Sequence, residues 1–134
     1  MPVPLNRASI GKRYGPVTCV VNAERVSAFS TAVAHPGEGV APTFVTVPEL
    51  EAGLTNVIAD PDLGMDLAHV LHGDESYEWT RPLEVGETLS ASAIILDIRG
   101  RGGVEFLTLR TEIRASDGTL VCLATSTLVH REEA

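Results

Sequence analysis

Residues 70–89 read VLHGDESYEWTRPLEVGETL. Within this stretch Glu75, Tyr77 and Trp79 alternate with Ser76, Glu78 and Thr80, the period of a β-strand. Arg81-Pro82 ends the alternation, because proline has no backbone donor for a ladder. The polar turn Glu84-Val85-Gly86-Glu87 follows, and Gly86 allows the positive φ that such a turn needs. A run of β-rich sequence then continues to Val129. The pattern predicts strands over about 69–80, 87–98, 103–115 and 119–130. The turns fall at 100–103 and at Asp117-Gly118, the second being a strong hairpin signal.

Upstream of this run the period changes. Residues 14–21 (YGPVTCVV) predict a short strand. Asn22 is a good N-cap, Glu24 suits the first turn, and Val26, Phe29 and Val33 recur at helical spacing, so a helix is expected over 23–34. His35-Pro36-Gly37 ends it. A second helix is expected over 47–58, with Pro48 in its first turn and Leu50, Leu54, Val57 and Ile58 as its apolar stripe. The order is strand, helix, loop, longer helix, then a four-strand antiparallel meander. It predicts an α+β chain whose sheet wraps around the second helix.

The chain has 134 residues, 44% hydrophobic and 21% charged, the composition of a globular domain. One domain over 1–134 is expected. No apolar run reaches the roughly 18 residues of a membrane span, and the start has no secretory h-region, so a cytoplasmic location is expected. The formal net charge of −8 argues against a nucleic-acid groove, which relies on Lys and Arg at phosphates. Cys19 and Cys122 lie in apolar strand-like sequence and are expected as buried free thiols, with a structural disulfide as the alternative. Arg99 and Arg101 in RGRGG form a basic cluster, read as a solvated hairpin tip, with a phosphate contact as the alternative. His69 and His130 read as surface residues. Apolar residues on both parities of the last three strands, as in Ile94-Ile95-Leu96 and residues 120–124, predict a second covered face and hence a dimer.

Three segments and the ending carry a resemblance. VNAERVSAFSTAVA (21–34), VAPTFVTV (40–47) and VLHGDESYEWTRPLEVGETL, with ASDGTLVCLATSTLVHR (115–131), together resemble the MaoC-like dehydratases of the hotdog superfamily. The likeness is to their N-terminal, FAS1-like half, and to the non-catalytic subunit of the mycobacterial hydroxyacyl-carrier-protein dehydratase. It implies a hotdog fold, an acyl-CoA or acyl-carrier-protein thioester as ligand, and a hotdog partner subunit in a homo- or heterodimer. No cofactor is expected, and Asp60, Asp62, Asp66 and Asp74 show no Cys/His ligand spacing, so no metal site is expected either.

Active members of the family carry a loop with an Asp, an Asn-Pro and a His, then a His-Gly at the central helix. Hydrating an enoyl thioester needs a base for the water proton and an acid for the α-carbon. In this chain the loop is Ala34-His35-Pro36-Gly37-Glu38-Gly39, no Asp occurs before position 60, and Ala41-Pro42-Thr43-Phe44 stands at the His-Gly turn. No catalytic residue is therefore assigned: His72-Gly73-Asp74 looks catalytic as a string but reads as part of a strand, and His35 with Glu38 reads as a solvated loop pair. The resemblance places substrate contacts at Thr43, Phe44, Val45, Val47, Leu50 and Leu54, with His72 and Gly73 beside the tunnel or the dimer seam. The expected role is the acyl-binding half of an (R)-specific enoyl-thioester hydratase or 3-hydroxyacyl-thioester dehydratase. The alternatives are a homodimeric acyl-CoA-binding protein without dehydratase activity, and a thioesterase using Glu49 or Glu51 as base. For both glutamates the competing reading is a helix-dipole cap.

Overall fold

A computed structural model describes residues 4–37 and 39–131. Its strands are β1 (Arg13–Val20), β2 (Val70–Trp79), β3 (Thr88–Arg101), β4 (Val104–Ala115) and β5 (Leu120–Arg131). All pair antiparallel in one sheet of order β1-β3-β4-β5-β2. Helix α1 (Ala23–Ala32) follows β1, capped by Asn22, whose side chain accepts from the Glu24 and Arg25 amides. A 3-10 turn (Pro42–Val45) leads into α2 (Thr46–Ala52) and α3 (Leu54–Ala59), which lie in the concave side of the sheet. This is the hotdog arrangement, an α+β fold.

The central helix differs from the single helix expected over 47–58. It breaks at Gly53, whose φ/ψ of −95°/−91° leaves the helical region. A Cβ there would stand 2.8 Å from Leu109 Cδ2 and 3.0 Å from the Glu49 carbonyl. Glycine therefore lets the helix press onto β4 at its closest point. The two halves serve two core clusters. Val45 and Ala52 pack with Cys19, Phe44, Leu89, Ile113 and Cys122, whereas Val57 packs with Ile95, Ile98, Leu107 and Leu128. Asp60, just past α3, accepts from Lys12 Nζ at 2.6 Å and Tyr14 Oη at 2.7 Å, which ties the helix end to β1. Both cysteines are buried and free, as expected.

Part of the apolar pattern on both parities has a local cause, although Ile94, ahead of the first bulge, stays half-buried on the outer parity. One extra residue, Leu96 on β3, has no partner on β4, and another, Val121 on β5, has none on β4 either. Each bulge adds one residue and reverses the parity beyond it. Ile95 and Ile98 are thus both buried, as are Val121 and Cys122. His130 corrects another expectation. It lies on the inward parity of β5 with Ser126 and Leu128, is 4% exposed, and its Nε2 accepts from the Asp66 amide at 3.4 Å.

The RPLEVGE turn is held by one cation. Arg81 donates to both carboxylate oxygens of Glu87, at 3.0 and 2.8 Å, and to the Pro82 carbonyl at 2.9 Å. Glu87 also accepts from the Glu84 amide at 2.6 Å. Gly86, at φ +93°, donates to the Val21 carbonyl at 2.7 Å and so stitches the turn to the end of β1. Arg81→Ala should lower stability by about 1 kcal/mol, the scale of a well-formed but partly exposed ion pair. Urea midpoints of the two proteins should differ less in 1 M salt than in 50 mM salt.

Candidate functional site

Two features carry functional chemistry, an apolar cleft at the helix entry and a buried carboxyl pair at the sheet edge.

The cleft encloses about 360 Å³ and is lined by Val40, Pro42, Trp79, Thr80, Arg81, Pro82 and Leu83. Its volume lies in the roughly 300–1,000 Å³ range of small-molecule sites. The family motif builds both walls. The loop from α1 presents Val40 and Pro42, and β2 runs out at Trp79 into the Arg81-Pro82-Leu83 turn. The seven lining residues include no carboxyl, imidazole or thiol. Their one cation, Arg81, is engaged by Glu87.

The residues expected to meet substrate take several positions. Thr43 is exposed next to the Pro42 wall. Phe44 and Val45 lie in the core beneath it, at 1% and 0% exposure, with the Phe44 ring edge-on to Phe29 at 5.5 Å. Val47 packs partly against the first cluster and Leu54 against the second, while Leu50 is exposed. His72 and Gly73 sit at the far end of β2 from Trp79, roughly 20 Å away at about 3.3 Å per residue. The cleft wall 79–83 was not among the expected contacts, although it lies in the most diagnostic part of the sequence. Arg99 pairs with Asp97. The His35–Glu38 loop pair weighed from the sequence falls partly outside the described residues.

The carboxyl pair joins three elements. Glu49 points from α2 toward β2 and β5 and is 4% exposed. Tyr77 Oη donates to Glu49 Oε1 at 2.9 Å, and Ser126 Oγ lies 2.9 Å from Glu49 Oε2. The same Ser126 Oγ contacts Glu75 Oε2, which also meets His72 Nε2 at 3.1 Å. Glu75 Oε1 is buried without a partner. Burial, then the hydrogen bond and charge of Glu75, push the Glu49 carboxyl up to about 8. Burial would also raise Glu75, but hydrogen bonds with Glu49, Ser126, Tyr77 and His72 outweigh it and hold Glu75 below its usual range. Burial first, and the two carboxyls second, raise the Tyr77 phenol far above its ordinary value.

Glu49 was read from sequence as a helix cap or a thioesterase base. It is neither exposed nor at the cleft. Glu51, the other candidate base, pairs with Arg25 at 3.3 Å on the surface. The signal for the network was present in part, because Glu75 shares the inward parity of Tyr77 and Trp79. Nothing in the sequence paired it with Glu49, 26 positions earlier.

The family model described as the FAS1-like, dehydratase domain region matches residues 34–124. A UPF0336 protein of Saccharopolyspora erythraea is 32% identical, over 98% of this chain and 95% of the relative. Among solved structures, the HadBC (3R-hydroxyacyl-ACP dehydratase) complex of Mycobacterium tuberculosis superposes with a TM-score of 0.75 at 23% identity, covering 90% of this chain and 96% of that one. The ChsH1–ChsH2 complex of the same organism gives 0.70 at 17% identity, covering 96% and 88%. These structural likenesses establish the fold. No helix among the described residues is long and apolar enough to cross a membrane.

Proposed function

The chain belongs to the FAS1-like dehydratase domain family, and from that premise we propose that it is an acyl-thioester-binding subunit. It works within an (R)-specific enoyl-thioester hydratase or 3-hydroxyacyl-thioester dehydratase, beside a second hotdog subunit that supplies the acid and base. The observation that carries this reading is the cleft at the helix entry. It is apolar, of ligand size, and walled by residues that cannot exchange a proton at neutral pH.

In this reading the cleft takes the acyl chain, and the Thr43–Val45 backbone, continuing from Pro42, lies near the thioester. Leu50, His72 and Gly73 are exposed on the helix and on the outer strand, where a second subunit would complete the tunnel. Among the described residues no strand pairs with the outer side of β2, which leaves that edge open to such a subunit. Both mycobacterial neighbours are two-component complexes, which supports a partner of the same fold.

Trp79 is the chain's single tryptophan and lines the cleft, so its emission reports occupancy directly. Titration with saturated acyl-CoA esters of increasing length should tighten Kd by roughly fourfold per added methylene, from about 0.8 kcal/mol each, until the cleft is full. The Trp79 emission should move to the blue in step. Val40→Phe, which fills the cleft, should remove the gain for long chains and spare short ones. Affinity independent of length, with Trp79 unperturbed, would sink the acyl-binding role.

A further inference from the structure

The contacts around Ser126 can be counted in protons. Its hydroxyl stands within hydrogen-bond reach of Glu49 Oε2 on one side and Glu75 Oε2 on the other. Two oxygen–oxygen contacts need two protons, and a serine hydroxyl supplies one. The second must come from a carboxylic acid. The arrangement is satisfied when one of the two glutamates is neutral.

The network also occupies a particular place in the fold. Glu75 and Tyr77 belong to β2, which among the described residues is an edge strand paired with β5. Glu49 belongs to the central helix and Ser126 to β5. The hydrogen bonds thus fasten the edge strand to both of its neighbours at once. We propose that Glu49 and Glu75 share a single proton and form a pH-sensitive latch that holds edge strand β2 against β5 and α2.

The surroundings show what loss of that proton does. On β2, Tyr77 donates to Glu49 and His72 meets Glu75. On β5, the Cys122 thiol is pushed up to about 11 by burial first and then by the two carboxyls. On α2, Glu51 is turned away to Arg25 of α1. Among the described residues, no lysine or arginine pairs with Glu49 or Glu75. With both ionised, two negative charges face each other across one hydroxyl in a largely dry site. Glu75 Oε1 already lacks a partner there. The repulsion acts between β2 and the elements that hold it.

The sign of the pH dependence follows from linkage. Glu49 is raised from 4.5 to about 8 in the fold, so between those values the folded chain holds a proton that the unfolded chain has released. That stabilisation is complete below about 4.5, falls as pH rises, and is gone above about 8. Glu75 behaves oppositely. Held low, it contributes above 4.5 and loses that contribution in acid.

The test is thermal unfolding of the full chain and of Glu49→Gln from pH 5 to pH 8.5. Ionisation of the Cys19 and Cys122 thiols in the unfolded chain begins toward the top of this window and adds the same slope to both proteins, so the difference between the two curves reports Glu49. The wild-type Tm should fall by roughly 10 °C across the window. The Glu49→Gln curve should be nearly flat and cross it, leaving the variant the more stable protein at pH 8.5. Hydrogen-exchange protection of the β2 amides, corrected for intrinsic rates, should drop relative to β4 in wild type alone. Parallel Tm curves for the two proteins would overturn the proposal. Should Glu49→Gln not fold, carbon NMR of glutamate-labelled wild type decides. One carboxyl still protonated at pH 6.5 supports the shared proton, and all glutamates ionised by pH 5.5 refutes it.

Discussion

Phe44→Ala should cost about 3–5 kcal/mol of folding stability, the largest single-site effect expected in this chain. Phe44 is 1% exposed, meets the Phe29 ring edge-on, and belongs to the cluster that joins α1, the helix entry and the far half of the sheet. Truncation removes the ring from a site framed by α1, β3, β4 and β5, so the cavity has little room to collapse. The urea midpoint should fall by more than about 1 M at an unchanged slope. The variant should also lose the acyl-length dependence of binding, because the Pro42 wall of the cleft sits on this side chain's turn. A loss below about 1 kcal/mol would show that the helix entry is not packed as described.

Most of the fold was legible because its signals are local. The alternation of Glu75, Tyr77 and Trp79, the Pro82 and Gly86 punctuation and the Asp117-Gly118 turn placed the later strands within a residue or three of their observed ends. Asn22 placed the start of α1 equally well. The break at Gly53 was not legible. A glycine inside a helical pattern costs only about 1 kcal/mol. What decides the break is the approach of Leu109, 56 positions later, to a site with no room for a Cβ. The bulges at Leu96 and Val121 were not legible, for the same reason. Apolar residues on both parities look like a two-sided strand until the register of the neighbouring strand is known. His130 was placed at the surface by its nearness to a strand end, whereas its inward parity buries it.

The candidate site divides in the same way. Family likeness led to Thr43–Val45, which adjoin the Pro42 wall, but none of the eight residues it assigned to substrate lines the cleft itself. The opposite wall, Trp79–Leu83, was quoted as motif and read as turn chemistry. Turn residues have a sufficient local role in ending a strand, and only the fold shows that the same residues wall the cleft. The carboxyl pair depends on three elements meeting, at separations of 26 and 51 positions along the chain. Each member has a bland local reading, a helix cap for Glu49 and a strand-face acid for Glu75. Only the fold shows that both face the same serine.

The central claim is that this chain binds an acyl thioester while another subunit performs the proton transfers. The most direct test is hydration of an enoyl-CoA by the purified chain, alone and then with a hotdog protein bearing the Asp, Asn-Pro and His loop that co-purifies from the same cells. A positioned acid or base contributes about 10²–10⁴-fold each. The cleft walls hold neither. The account predicts a background rate for the chain alone and a rate at least roughly 10⁴-fold higher for the complex. In the complex, Val40→Phe in this chain should slow long substrates and leave short ones unaffected. Rapid hydration by the chain alone, lost in Glu49→Gln or His72→Ala, would contradict the account and move the active site to the edge of β2.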